Sequence, residues 1–361
     1  VSGADPRDAV KPRIRAMTAY TLAPRTAPVK VNQNENPWDF PPALKEEVLD
    51  RARAEPWSRY PEFLPAALRE SLAAFSGWRP DGILAGNGSN ELIQVAFGCV
   101  VEPGVSVVLP EPTFTLYRQL VTVLGGEVLG VPLAPDLSFD VDALLAAARD
   151  PRVRMIVLCS PNNPTGAALG EPDVSRILTA FDGLVVVDEA YHEFSGWSAA
   201  ALLPRHRNLI VLRTFSKAMG LAGVRFGYLL ADPDLVTELD KARLPYNVGR
   251  LTQAAVQVAL EHYADVLEPR IRELVTQRED LRARIAEIDG FDPRPTSANF
   301  FLVHSRWDPG EVCEAMLDRG VLIRNVSGYP MLERYVRVNV GTEAENAAVV
   351  SALVAIAEER S

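Results

Sequence analysis

"LIVLRTFSKAMGLAGVRFGYLLAD", residues Leu209 to Asp232, holds two apolar runs separated by hydroxyls, small residues and glycines, with Lys217 and Arg225 eight positions apart. "LIVLRTFS" and "RFGYLLAD" read as strands. Both are too continuously apolar to have a solvated face, so they belong to a sheet covered on both sides. A lysine in a connecting loop is ordinarily solvated. One placed where the chain enters a buried sheet can hold a ligand covalently, provided that other segments bring matching groups to it.

Outward from this stretch the same character recurs. "SVVLP" (106–110), "GEVLGVPL" (126–133), "VRMIVLCSP" (153–161) and "GLVVVDEA" (183–190) read as further strands. "PPALKEEVLDRARA" (41–54), "NELIQVAFGCVV" (90–101) and "EPDVSRILTAFD" (171–182) read as helices between them. The alternation predicts an α/β fold with a mostly parallel sheet covered by helices. From about Gly249 the pattern changes to a long helical stretch with a break near Pro269. A small α+β piece follows, with strands at "ANFFLVH", "VLIR" and "YVRVNV" and a closing helix "AENAAVVSALVAIAEE". The expected organisation is an N-terminal arm (1–40) associated with the small domain, a large ligand-binding domain (41–255), and a linking helix with a small C-terminal domain (256–361).

The bulk numbers narrow the function classes. With 361 residues, 48% hydrophobic and 23% charged, the chain is long enough for a substantial core and has a globular composition. A net charge of −10 argues against nucleic-acid binding. Cys99, Cys159 and Cys313 are too scattered for a disulfide framework or a paired metal site, and the four histidines show no metal spacing. No apolar run approaches the ~18 residues of a membrane span, and none at the start has signal-peptide length. A soluble protein in the reducing cytoplasm is expected, with no metal, nucleic-acid or membrane partner.

Ligands of open α/β sheets collect beyond the carboxyl ends of the strands. There "VVVDEAY" places Asp188 and Tyr191, "VLCSPNNPTG" places asparagines in a turn, and "VLRTFSK" places Thr214, Ser216 and Lys217. A lysine that attacks a carbonyl must be neutral, which partial desolvation favours. A carboxylate at a buried strand end needs a cation, which a protonated pyridine nitrogen supplies. A phosphate dianion wants hydroxyls, an arginine and free backbone N–H groups at a helix start. Thr214, Ser216 and Arg225 supply the first two, and "GNGSNELI" supplies the third at Ser89 and Asn90. That segment also imitates a dinucleotide fingerprint, but Glu91 stands where the fingerprint needs a third small residue. Together these demands describe pyridoxal 5′-phosphate.

"NENP", "RYP", "GNGSNE", "PTF", "SPNNPTG", "DEAY", "TFSKAMGLAGVRFG" and "VRVNVGT" follow one another in order over nearly the whole chain. In these the sequence resembles the fold-type I pyridoxal-phosphate-dependent aminotransferases, and among them the histidinol-phosphate aminotransferases. The resemblance implies that Lys217 bonds the cofactor and moves the substrate proton, while Asp188 pairs with the pyridinium nitrogen. Asn163 and Tyr191 would hydrogen-bond the ring's phenolic oxygen, and Phe114 would stack on the ring, where related enzymes often have tyrosine. Thr214, Ser216, Arg225, Ser89 and Asn90 would hold the phosphate, and Asn162 would only form the turn. Tyr60 would reach the phosphate of a partner subunit, implying a homodimer with shared active sites. Tyr20, Asn36, Arg324 and Arg337 would bind substrate.

The implied reaction moves an amino group between L-histidinol phosphate and 2-oxoglutarate, giving imidazole acetol phosphate and L-glutamate, in histidine biosynthesis. Two arginines suit a donor that has a phosphate and no carboxylate, and Arg337 would also take the α-carboxylate of glutamate. An aromatic amino acid aminotransferase, needing only Arg337, and a phosphothreonine-type decarboxylase share the cofactor motifs. A regulator that kept the fold would carry a basic helix-turn-helix segment, and neither terminus has one.

Overall fold

The computed structural model describes residues 5–19, 25–63 and 65–360. Thirteen strands run through the described residues. They are β1 (Val29–Lys30), β2 (Ile83–Gly86), β3 (Ser106–Glu111), β4 (Glu127–Pro132), β5 (Val153–Cys159), β6 (Leu184–Asp188) and β7 (Leu209–Thr214). β8 (Gly227–Ala231), β9 (Phe291–Pro293), β10 (Phe300–Ser305), β11 (Val321–Leu322), β12 (Arg324–Asn325) and β13 (Tyr335–Asn339) follow. Seven of them form one sheet in the order β2-β8-β7-β6-β5-β3-β4.

The continuous apolar strings are explained by burial on both faces. Along β5, Ile156 and Leu158 enter one core cluster, while Met155, Val157 and Cys159 enter the other. β6 and β7 divide in the same way, Val187 and Val211 to one side and Val186 and Leu212 to the other. Successive side chains of a strand point to opposite faces, so a sheet coated by helices on both needs apolar residues at every position.

β3 to β7 are mutually parallel, but β8 runs antiparallel to both β7 and β2, so the sheet is mixed at one end. The reason is the opening stretch itself. Thr214 pairs with Gly227, so residues 215–226 close a hairpin-type connection in place of the helical crossover that a parallel neighbour needs. This long loop lies over the carboxyl ends of the strands and carries Ser216, Lys217 and Arg225.

The expected helical break lies ahead of Pro269. Helix Arg250–Glu261 ends in a turn of π-helix at Tyr263–Leu267, and Pro269 sits in the first turn of Glu268–Ala286, where its missing N–H costs nothing. Ala255, Val256, Val258, Ala259 and Leu267 pack into the large core, so that core continues past residue 255. The small unit is a four-stranded antiparallel sheet, β12-β13-β10-β9, flanked by helices Glu268–Ala286, Pro309–Asp318 and Glu343–Glu359. The N-terminal segment touches both units. β1 pairs parallel with β11 and Val31 enters the small core, whereas Arg13 donates to the Val123 and Leu124 carbonyls at the end of helix Leu116–Leu124.

Candidate active site

A cavity of about 530 Å³ lies where β5, β6 and β7 end and the small sheet faces them. Lys217 is half-buried, and its Nζ donates to the Gln33 carbonyl at 3.0 Å. Desolvation, reinforced by the positive charge of Arg337, brings its pKa down to about 8. Roughly a fifth of the amine is therefore neutral at pH 7.4, far more than for an ordinary lysine, which serves a nucleophile and proton carrier.

Asp188 ends β6 in register with Cys159 of β5 and is buried. Its Oδ2 accepts from the Tyr117 hydroxyl at 2.7 Å and its Oδ1 from the Ala190 amide at 3.1 Å. Burial pushes its pKa up to about 6, while these two donors pull the other way. No lysine or arginine of the described residues hydrogen-bonds to it, and its donors are the uncharged Tyr117 hydroxyl and Ala190 amide. Phe114 lines the cavity beside it, edge-on to Tyr117 at 5.5 Å.

An anion cup adjoins these groups. Helix Ser89–Val100 begins after Gly88 with no side-chain cap, and its first two residues, Ser89 and Asn90, line the cavity. Gly88 has φ +85°, and a Cβ there would lie 2.6 Å from Arg225 Nη2. A Cβ on Gly227 would lie 2.4 Å from the Ser89 nitrogen. Glycines thus let the helix start, the β8 end and the guanidinium converge. Thr214 Oγ1 donates to Ser216 Oγ at 3.0 Å, and Arg225 Nη1 reaches the same Ser216 hydroxyl at 3.4 Å. Arg225 itself holds φ +59°, a left-handed conformation unusual outside glycine and typical of functional loops.

The small sheet supplies the opposite wall. Arg324 and Arg337 are direct partners in the antiparallel β12–β13 pair, so they share a face, and both line the cavity. Arg337 donates to Asn163 Oδ1 at 2.5 Å and to the Asn32 carbonyl at 3.0 Å, with its guanidinium over the Phe300 ring. Tyr191 is buried, its hydroxyl accepts from Asn34 Nδ2 at 3.0 Å, and burial raises its pKa. Asn162 does more than turn the chain. Buried completely, it bonds the Thr113 hydroxyl, the Pro112 carbonyl and Thr165, tying the Phe114 loop to the Asn163 loop.

Two predicted residues, Asn36 and Tyr60, do not line this cavity. Asn36 points away from the cavity and spends its amide on the Ala218 carbonyl and the Trp38 N–H, both at 3.0 Å. Asn34, two positions earlier, takes the place in the wall, with its Oδ1 buried and unpartnered. Asn34 has φ +55°, so the backbone turns between the two asparagines of "NENP". Tyr60 lies on the surface of this chain, stacked on Tyr246 at 4.5 Å. Tyr20 lies outside the described residues. Sequence reasoning missed Tyr117 and Asn34. Tyr117 looks like an ordinary apolar position of a helix, and only its three-residue spacing from Phe114 hinted at a shared face.

The site can therefore hold a flat cationic ring between Asp188 and Lys217, with one anion in the helix cup and a second between the arginines. Comparison with known proteins places the chain in one family. The family model for aminotransferase class I and II matches residues 26–353. The histidinol-phosphate aminotransferase of Chlorobaculum tepidum is 43% identical over 321 residues, which cover 89% of this chain and 92% of that protein. That of Chlorobium phaeobacteroides is 40% identical over 357 residues, 98% of this chain and 99% of the other. The solved histidinol-phosphate aminotransferase from Sinorhizobium meliloti, in complex with pyridoxal-5′-phosphate, has a TM-score of 0.86 at 28% identity and 98% coverage of each chain.

Proposed function

The chain belongs to the class I and II aminotransferases, and from that premise we propose that it moves an amino group between L-histidinol phosphate and 2-oxoglutarate, with pyridoxal 5′-phosphate as cofactor. The residues present fit that cofactor. A buried carboxylate without a cationic partner suits a pyridinium N–H, and the cup kept open by Gly88 suits a phosphate. Asp188 would hold the ring nitrogen, Phe114 a ring face, Asn163 and Tyr191 the phenolic oxygen, and Ser89, Asn90, Thr214, Ser216 and Arg225 the phosphate. When bound, the cofactor supplies an electron sink that acidifies the substrate's Cα–H.

The chain's own residues do the rest. Lys217 Nζ, mostly neutral above about pH 8, would take the proton from the donor's Cα, hold it, and release it on the far side of the amino nitrogen. The Gln33 carbonyl gives the freed amine a resting contact on the side of the N-terminal segment. Arg337, braced by Asn163 and Asn32, orients the donor's anionic end. Val326 and Tyr329 of the small unit complete the wall.

The observation that carries the substrate reading is the facing pair Arg324 and Arg337. Like charges directly opposite each other in a sheet destabilise it unless an anion lies between them. A carboxylate needs one of these arginines, and a phosphate dianion uses both. With 2-oxoglutarate as acceptor, kcat/KM for L-histidinol phosphate is expected to exceed that for L-phenylalanine on the order of 100-fold, about 2.7 kcal/mol. Competition between the two donors in one reaction measures this ratio. Preference for phenylalanine reassigns the substrate, and release of carbon dioxide from phosphothreonine reassigns the reaction.

A homodimer belongs to the same reading. Tyr60, Tyr246 and Phe63 form an exposed ring cluster, Tyr246 lying 4.5 Å from Tyr60 and 5.5 Å from Phe63, with Trp57, Leu244 and Leu251 also exposed. Apolar groups clustered in this way mark a contact surface. Sedimentation equilibrium is expected to give about twice the 39.5 kDa chain mass; a fully active monomer would remove Tyr60 from the site. No described helix is long and apolar enough to cross a membrane, and the three cysteines are free thiols. We place the enzyme in the cytoplasm, which cell fractionation would test.

A further inference from the structure

Tyr117 has no part in the assignments above, yet it is fully buried and makes the shortest contact to the acid on which they depend. Its hydroxyl donates to Asp188 Oδ2 at 2.7 Å, and its ring meets Phe114 edge-on at 5.5 Å with an interplanar angle of 88°. One side chain thus touches both the carboxylate and the stacking ring that face the same ligand. A buried tyrosine can satisfy its hydroxyl on any nearby carbonyl. Here it is spent on a carboxylate in the cavity wall, where an arginine or lysine would neutralise the acid and compete with a cationic ligand.

We propose that Tyr117 is a positioning residue for the cofactor: an uncharged donor that fixes the Asp188 carboxylate, keeps it ionised and leaves its remaining lone pairs to the ring nitrogen. The inference rests on the pyridoxal-phosphate reading. It divides the labour at this acid among three donors. The Ala190 amide holds Oδ1, the Tyr117 hydroxyl holds Oδ2, and the cation comes from the ligand alone.

The titratable groups around Asp188 are consistent with this division. Tyr117 faces it from helix Leu116–Leu124, and Cys159 faces it from the end of β5 with a thiol pushed up to about 12, hence neutral. Glu189 and Tyr191 follow it in the chain, and Lys217 shares the cavity from the hairpin loop. Of these, Tyr117 is the side chain that lowers the acid's pKa, against a burial that raises it to about 6. Below that pH the carboxyl is protonated and cannot pair with a ring N–H⁺, so ligand affinity falls as pH falls. Removing the hydroxyl raises the Asp188 pKa further, and the loss of affinity then begins at higher pH.

Pyridoxamine 5′-phosphate is the probe, because it makes no covalent bond to Lys217. Its Kd is measured against pH on the cofactor-free full chain. For Tyr117→Phe, which keeps the ring, the acid midpoint is expected to rise by about one unit, so that binding is roughly fivefold weaker at pH 6 and equal to wild type above pH 8. Tyr117→His, a planar ring with an N–H donor, should move the midpoint back toward wild type. In an Asp188→Asn background, adding Tyr117→Phe should change neither affinity nor profile, because the two residues act as one unit. Circular dichroism and thermal melting establish that each variant is folded. An unchanged midpoint in folded Tyr117→Phe overturns the inference, as does a uniform weakening at every pH, which is what a packing role alone produces. If the wild-type chain binds no pyridoxamine 5′-phosphate at any pH, the cofactor reading falls and this inference with it.

Discussion

Lys217→Ala is expected to lower kcat by about 10⁴-fold or more, the upper range for a positioned proton-transfer group, with the loss of covalent attachment added to it. The effect is large because one atom has two tasks. In the proposed reading Nζ bonds the cofactor before the substrate arrives and carries the Cα proton afterwards, and among the described residues no other lysine lines the cavity. Borohydride treatment should fix cofactor to the wild-type chain and none to the variant, while noncovalent binding persists through Asp188 and the phosphate cup. Covalent attachment in Lys217→Ala, or turnover within tenfold of wild type, would transfer the role to another residue.

The same substitution has an expected stability signature of opposite sign. The Lys217 pKa lies at about 8 in the folded chain against an ordinary 10.5, because desolvation disfavours its charged form. A folded-state pKa below the unfolded one means that the ammonium opposes folding at pH 7. The penalty is complete below about pH 8, shrinks as pH rises, and is gone near pH 10.5. Cofactor-free Lys217→Ala should therefore melt above wild type at pH 7, with a gap that closes toward pH 10.5. A destabilised, strained site is what a catalytic loop retains for its function.

The parts of this architecture legible in the sequence share one property: they are local. The strand ends at Asp188 and Thr214 follow from apolar runs terminated by polar residues, and the cup follows from glycines placed before a helix. What the sequence did not disclose depends on partners distant in the chain. The antiparallel course of β8 follows from hairpin closure between Thr214 and Gly227, and the apolar pattern is the same in either direction. β1 is two residues long and exists only because β11 lies beside it. Helix Leu116–Leu124 contains a polar buried tyrosine that no periodicity separates from a packing residue, since its partner Asp188 is 71 positions away. The two asparagines of "NENP" are chemically identical, and the sequence does not show that Asn34 is the one that lines the cavity.

Arg324→Ala is expected to reduce kcat/KM for L-histidinol phosphate by about 10²–10³-fold, the usual cost of removing one partner from a charge-assisted contact in a desolvated site, and for L-phenylalanine by less than about threefold. The two arginines differ in how they are held. Arg337 is buried and braced by Asn163 and Asn32, and in the proposed reading it takes an anion common to every donor and acceptor. Arg324 is half-buried on the short strand β12, where the active-site cavity meets a second one of about 620 Å³ running along Met17, Thr18 and Thr122. It is therefore placed to meet only a donor long enough to bring its own anion to that junction. Arg337→Ala should impair both donors alike. Arg324→Lys should recover part of the loss, since an ammonium keeps the charge and forfeits the bidentate geometry. Without substrate, removing one of two facing guanidinium groups relieves a like-charge pair, so Arg324→Ala should melt no lower than wild type, and added phosphate should raise the melting temperature of wild type more than that of the variant. Equal losses for the phosphorylated donor and phenylalanine would show that the arginine pair does not select the substrate.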